Sequence, residues 1–69
     1  MTMVIEKKKN NIAYYRHKKG YTQQQLCDKL GWKKRKLQSY EQGVRNISAI
    51  DAIILADELG TTVIEMLRA

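Results

Sequence analysis

Apolar positions along this chain recur at helical spacing, and four glycines cut the pattern into helix-length pieces. Leu26 and Leu30 stand four apart, Leu37 and Tyr40 three apart. Ala49, Ala52, Ile53, Leu55, Ala56 and Leu59 cover one broad face of a longer segment. Such spacing places residues on one side of an α-helix. Gly20, Gly31, Gly43 and Gly60 fall where each piece stops, the position just past a helix end where positive φ is needed. With no proline to interrupt it, the pattern predicts five helices and no strand.

The first helix is predicted from about Glu6 to Lys19, a polar amphipathic pattern built on Ile5, Ile12 and Tyr15 with Lys8 and Arg16. The second begins at Thr22, which forms with Gln25 the S/T-x-x-E/Q pattern of a capping box. The third runs from about Lys34 to Gln42. Its cap position holds Lys33, a poor capping residue, and Trp32 before it is placed to pack on Leu37 as a hydrophobic staple. The fourth starts at Ser48, with Asp51 in its first turn to complement the helix dipole. Thr62 to Glu65 repeats the capping pattern and starts a short last helix through Leu67. Residues 1–5 are expected to be a flexible arm, with Met1 to Val4 a short strand as the alternative, and residues 6–69 a single domain.

Composition narrows the class. Sixty-nine residues make one small domain, and 43% hydrophobic residues argue against disorder. The net charge of +6 is unevenly placed. Residues 1–36 carry 11 Lys/Arg against Glu6 and Asp28, a balance of +9, while residues 37–69 carry a balance of −3. A polyanion is the natural partner of the first half, the plain alternative being a solubilising excess. Cys27 is alone, so no internal disulfide forms, and a reducing cytoplasm is the expected location. No apolar run approaches membrane-spanning length and no signal-peptide pattern is present.

The chemistry concentrates where two short helices meet at Gly31 and the second opens on Lys33, Lys34, Arg35 and Lys36. A helix with basic and amide side chains near its start fits the major groove of DNA. Positions 34, 35, 38 and 39 share a side opposite Leu37 and Tyr40. Arg35 can pair in bidentate fashion with guanine and Gln38 with adenine, and Ser39 lies beside them. Lys33 and Lys36, on the flanks, are expected at phosphates, which position a protein without reading sequence. Gln23 and Gln24 open the second helix, where free backbone N–H groups favour a phosphate. Arg45 follows in a loop with reach to the backbone, and Asn46 shapes the turn. A solvated basic face is the bland alternative. His17 and Cys27 lack metal-ligand spacing, and no catalytic constellation or phosphate-binding glycine loop is present, so no metal, cofactor or enzymatic activity is expected.

From Ile12 to Leu67 the chain resembles the Cro/C1-type helix-turn-helix domain of phage repressors and bacterial regulators. The matching skeleton is Arg16, Gly20, Thr22-Gln23, Leu26, Leu30-Gly31, Leu37, Glu41, Gly43, Leu55-Ala56 and Leu59-Gly60. The resemblance implies an all-α, compact five-helix lambda-repressor-like fold that binds double-stranded DNA, usually as a homodimer. It implies a phosphate or base contact for Gln23, and places Lys33, Lys34, Arg35, Gln38 and Ser39 on the recognition helix. It also implies a structural salt bridge between Arg16 and Glu41. Cys27 stands where the family has a small alanine, Lys33 where it has a Ser or Thr cap, and Trp32 and Tyr40 where aliphatics are common.

One feature lies outside this scheme. Ile50 and Ile54 project from the side of the fourth helix that carries Asp57, away from the core face. They form either a small partner surface, joined by Ile64 or Met66, or a patch half-buried under the last helix or the arm. The leading function is therefore a sequence-specific transcriptional regulator, with no room at this length for a ligand-sensing domain. The alternative is a protein-interaction module, such as an anti-repressor or an antitoxin that binds another protein. Lysine-driven nucleic-acid binding blind to sequence is a third reading.

Overall fold

The computed structural model describes residues 10–68. Five helices follow in order: α1 (Ile12–Lys18), α2 (Gln23–Leu30), α3 (Lys34–Glu41), α4 (Ala49–Leu59) and α5 (Val63–Leu67). No strand occurs among the described residues. The arm expected over residues 1–5, and Ile5 and Glu6 at the expected start of α1, lie outside them.

The expected α1 is too long at its N-terminal end. Asn10 and Asn11 are not helical, because both are used to tie the chain down. Asn10 Oδ1 accepts from the Ile12 amide (3.0 Å) while its Nδ2 donates to the Tyr40 carbonyl (2.8 Å). Asn11 donates from its backbone to the Met66 carbonyl (2.7 Å) and from Nδ2 to the Glu65 carbonyl (3.1 Å). These two side chains join the start of α1 to the ends of α3 and α5. The Asn11 side chain makes no cap bond, so this boundary rests on Asn10 Oδ1 and on the long-range tethers.

The other boundaries follow the capping chemistry. Thr22 and Gln25 make both bonds of a capping box, at 3.0 and 2.9 Å. Ser48 Oγ accepts from the Asp51 amide and Thr62 Oγ1 from the Glu65 amide, each at 3.1 Å. Lys33 makes no side-chain cap bond to the first amides of α3, of which that of Lys36 donates to the Lys33 carbonyl (3.0 Å). Gly31 ends α2 at φ +72°, and nothing stands within 4 Å of where a Cβ would sit. Gly31→Ala therefore costs backbone strain alone, about 1 kcal/mol, read as a drop in Tm of roughly 4–8 °C by thermal unfolding. A drop well beyond roughly 8 °C would show that the turn tolerates no side chain.

The core is narrow. Ile12, Leu26, Cys27, Leu37, Leu55 and Met66 are fully buried, closed off by Tyr40, Ala52, Ala56 and Leu59. Tyr15, Tyr21, Leu30, Trp32, Ile47, Val63 and Leu67 pack around them. The broad face expected of α4 is thus reduced to Ala52, Leu55, Ala56 and Leu59. Ala49 is exposed and Ile53 is 61% exposed. Ile53 stands a full residue step, about 100°, around the helix from Ala52, beyond the sector that so small a bundle covers. The Cys27 thiol is pushed up from its ordinary pKa, chiefly by burial, and its Sγ lies 3.7 Å from the Lys33 carbonyl at the turn.

Candidate nucleic-acid interface

The α2–α3 pair is held together by one chain of polar contacts. Arg16 and Glu41 side chains are each only 8% exposed, and Arg16 Nε meets Glu41 Oε2 at 2.7 Å. Arg16 Nη2 adds a longer contact to Oε1 (3.3 Å), and Nη1 donates to the Tyr21 carbonyl (2.9 Å). Gln23 Nε2 then donates to Glu41 Oε1 (3.0 Å), and Gln38 Nε2 donates to Gln23 Oε1 (3.3 Å). Almost every polar atom of the buried pair has a partner, which is the condition for such a pair to hold. The Gln23 and Gln38 side chains are thereby fixed relative to each other at the junction of the two helices.

The cations of α3 divide. Lys33, Lys34 and Arg35 are exposed and make no ion pair among the described residues. Lys33, Arg35, Ser39 and Arg45 line one groove of about 400 Å³ together with Trp32 and Lys36. Lys34 borders a second concavity with Arg16, His17, Tyr21, Gln23 and Gln24, at the open start of α2. Gln24 itself is exposed and donates to Asp28 Oδ1 (2.8 Å).

Lys36 is placed differently from the sequence expectation. Its Nζ lies 3.1 Å from Asp51 Oδ2 and 4.4 Å from the centre of the Trp32 ring. Its charge is matched within the fold, whereas Lys33, Lys34 and Arg35 make no ion pair among the described residues. The same carboxylate oxygen accepts from the Tyr40 hydroxyl (2.7 Å), and Tyr40 meets the Trp32 ring edge-on at 5.8 Å. Trp32, expected as a staple on Leu37, thus sits half-buried in an aromatic corner that joins α3 to the start of α4. Residues 32, 36 and 40 stand four apart along one helical row, so their contacts are local, and only Asp51, eleven positions beyond Tyr40, is brought to the corner by the fold.

The hydrogen bond from Tyr40, aided by Lys36 and Ser48, holds the Asp51 carboxyl below its ordinary 3.8 despite partial burial. The Tyr40 hydroxyl is pushed up, first by burial and then by its bond to Asp51. A carboxyl lowered in the folded state contributes stability above its unfolded pKa, and loses it as pH falls through the folded value. Asp51→Asn removes this contribution. The gap in Tm between wild type and Asp51→Asn is therefore expected to narrow from roughly pH 4 downward. A gap that stays constant from neutral pH to well below roughly pH 4 would refute the assignment.

Residues 12–66 match the helix-turn-helix family model. The chain belongs to the Cro/C1-type helix-turn-helix family. Comparison with curated proteins finds no match. Membership makes this domain a DNA-binding regulator, and the five helices are consistent with the lambda-repressor-like fold. Within the helix-turn-helix domain, α2 and α3 are the motif, with Gly31 at the turn. No helix among the described residues is long and apolar enough to cross a membrane.

The partner-surface candidates fall mostly on the outside of the domain. Ile50 is 70% and Ile54 40% exposed on α4, and Ile64 is 74% exposed on α5. Met66, the other candidate on α5, is instead fully buried in the core. The last helix does not cover the α4 pair. Ile53 joins them, although its spacing in the sequence points to the core face.

Proposed function

We propose that this domain is a sequence-specific transcriptional regulator that sets α3 in the major groove of duplex DNA. The observation that carries the reading is the set of cations Lys33, Lys34 and Arg35 at the exposed start of α3, without an ion pair among the described residues, beside a braced Gln23–Gln38 pair. Arg35 and Gln38 are the base-reading candidates, with Ser39 beside them. Lys33, Lys34, Arg45 and the open amides at the start of α2, with Gln23 and Gln24, are the phosphate side. Selection of bound duplexes from a random library at about 150 mM salt tests this, because sequence-blind binding is weakened there. Enrichment of one motif supports it, and no enrichment by a folded sample defeats it.

The regulator acts as a homodimer in this reading. One small domain offers few base contacts, so useful discrimination calls for two half-sites about one helical turn apart. The exposed isoleucines Ile50, Ile53, Ile54 and Ile64 are the apolar surface at hand. Ile54→Lys is expected to shift the sedimentation of the protein toward monomer and to weaken binding to a two-fold site at least tenfold. An unchanged oligomeric state and affinity would remove this surface from the proposal. The enriched motif is expected to be two-fold symmetric, and its half-site spacing measures the geometry of the pair.

A further inference from the structure

DNA binding by α3 leaves the charge of Lys36 unused, and the surroundings of that charge give it another role. Lys36 lines the same groove as Lys33, Arg35, Ser39 and Arg45. It nonetheless points its ammonium at Asp51 Oδ2, 3.1 Å away, with the Trp32 ring beneath it. Asp51 comes from the first turn of α4, where its amide is fixed by Ser48 Oγ and its carboxylate by the Tyr40 hydroxyl. The Lys36 and Asp51 side chains are 32% and 16% exposed. A carboxylate so braced is a fixed point, whereas a lysine on a four-carbon stem is free to swing.

We propose that Asp51 is a positioning residue that withholds Lys36 from the DNA backbone and so limits the affinity of this domain for DNA of any sequence. Freed from Asp51, the Lys36 ammonium stands among the groove cations and adds one phosphate contact. Phosphate contacts carry no sequence information, so the gain is equal on cognate and unrelated duplexes. With Lys33, Lys34, Arg35 and Arg45 already exposed, a further cation would strengthen binding to the whole genome as much as to the target. The intramolecular pair keeps that baseline down. This inference rests on the DNA-binding reading of α3.

The test is a cycle of Asp51→Asn and Lys36→Gln, with affinity measured from about 50 to 200 mM salt on a selected duplex and on a scrambled one. Asparagine keeps the shape of the side chain and can still accept from Tyr40, and Asp51→Ser serves if it fails to fold. Asp51→Asn is expected to steepen the slope of log K against log salt by about 0.9 on both duplexes. Its affinity advantage over wild type would then be about 3.5-fold larger at the low end of that salt range than at the high end. In the Lys36→Gln background the same substitution adds nothing to the slope. A role confined to stability would shift Tm and leave the slope alone.

Two results overturn the inference while leaving DNA binding intact. One is an unchanged slope in Asp51→Asn. The other is a steepened slope that persists without Lys36, which would mean that Asp51 acts only through long-range charge. Failure of the wild type to bind either duplex at about 50 mM salt would instead overturn the DNA-binding reading, and the inference with it.

Discussion

Glu41→Ala is expected to remove about 3–5 kcal/mol of this domain's stability at about 25 °C. The substitution leaves the Arg16 guanidinium buried, with the Tyr21 carbonyl as its remaining hydrogen-bond acceptor on the backbone, and removes the acceptor of Gln23 Nε2. Removing one side of a buried pair costs about 3–5 kcal/mol, because the surviving charge keeps its desolvation penalty. A domain of this length is stable by roughly 3.5–10 kcal/mol in all, at about 0.05–0.15 kcal/mol per residue. Urea unfolding of Glu41→Ala should therefore begin at far lower denaturant than in the wild type. The double variant Arg16→Met, Glu41→Leu should be more stable than Glu41→Ala alone, since no charge is left stranded. If the double variant is instead destabilised by the sum of the two single changes, the pair is not acting as a buried charge pair. Either way the Gln23–Gln38 brace loses its anchor, so the folded fraction should also bind DNA less tightly.

The second large effect concerns binding and should leave the fold alone. Lys34→Ala with Arg35→Ala is expected to weaken binding to a selected duplex by about 10²–10³-fold at about 150 mM salt. A bidentate arginine–guanine pair is worth about 1–3 kcal/mol of discrimination, and the lysine adds a phosphate contact. The salt slope should become shallower by about 0.9 for each phosphate that the variant no longer neutralises. Both side chains are exposed and make no ion pair among the described residues, so stability should change by no more than about 0.5 kcal/mol. Equal affinity of variant and wild type would move the function to the protein-interaction alternative, which has no need of these two cations.

The Lys34 and Arg35 positions follow from the sequence because they depend on local chemistry alone. Leu37 and Tyr40 fix the buried side of α3, and a helical period then decides which residues are outside. The capping residues Thr22, Ser48 and Thr62 set their boundaries by the same local logic, each through an amide three residues on. Where local signals conflict, the sequence misleads. Ile53 has the hydrophobicity of a core residue, but the width of the buried sector depends on how many helices surround α4. The apolar pattern starts α1 too early because the tethers of Asn10 and Asn11 reach residues 30 and 54 positions away.

By itself, then, the sequence determined five helical segments, the caps of α2, α4 and α5, the segregation of charge, and a basic helix following a glycine turn. Each of these depends on groups a few residues apart, whose energetics are settled within a turn or two of chain. Only the tertiary structure decided which charges are available. Lys34 and Lys36 are equally cationic in the sequence, yet one is open and the other lies against Asp51, fifteen positions on. The fold also decided that Gln23 is braced by Glu41 and Gln38, and that three isoleucines of α4 face outward. Electrostatic pairing and burial depend on distance in space, and packing alone sets that distance between residues far apart in the chain.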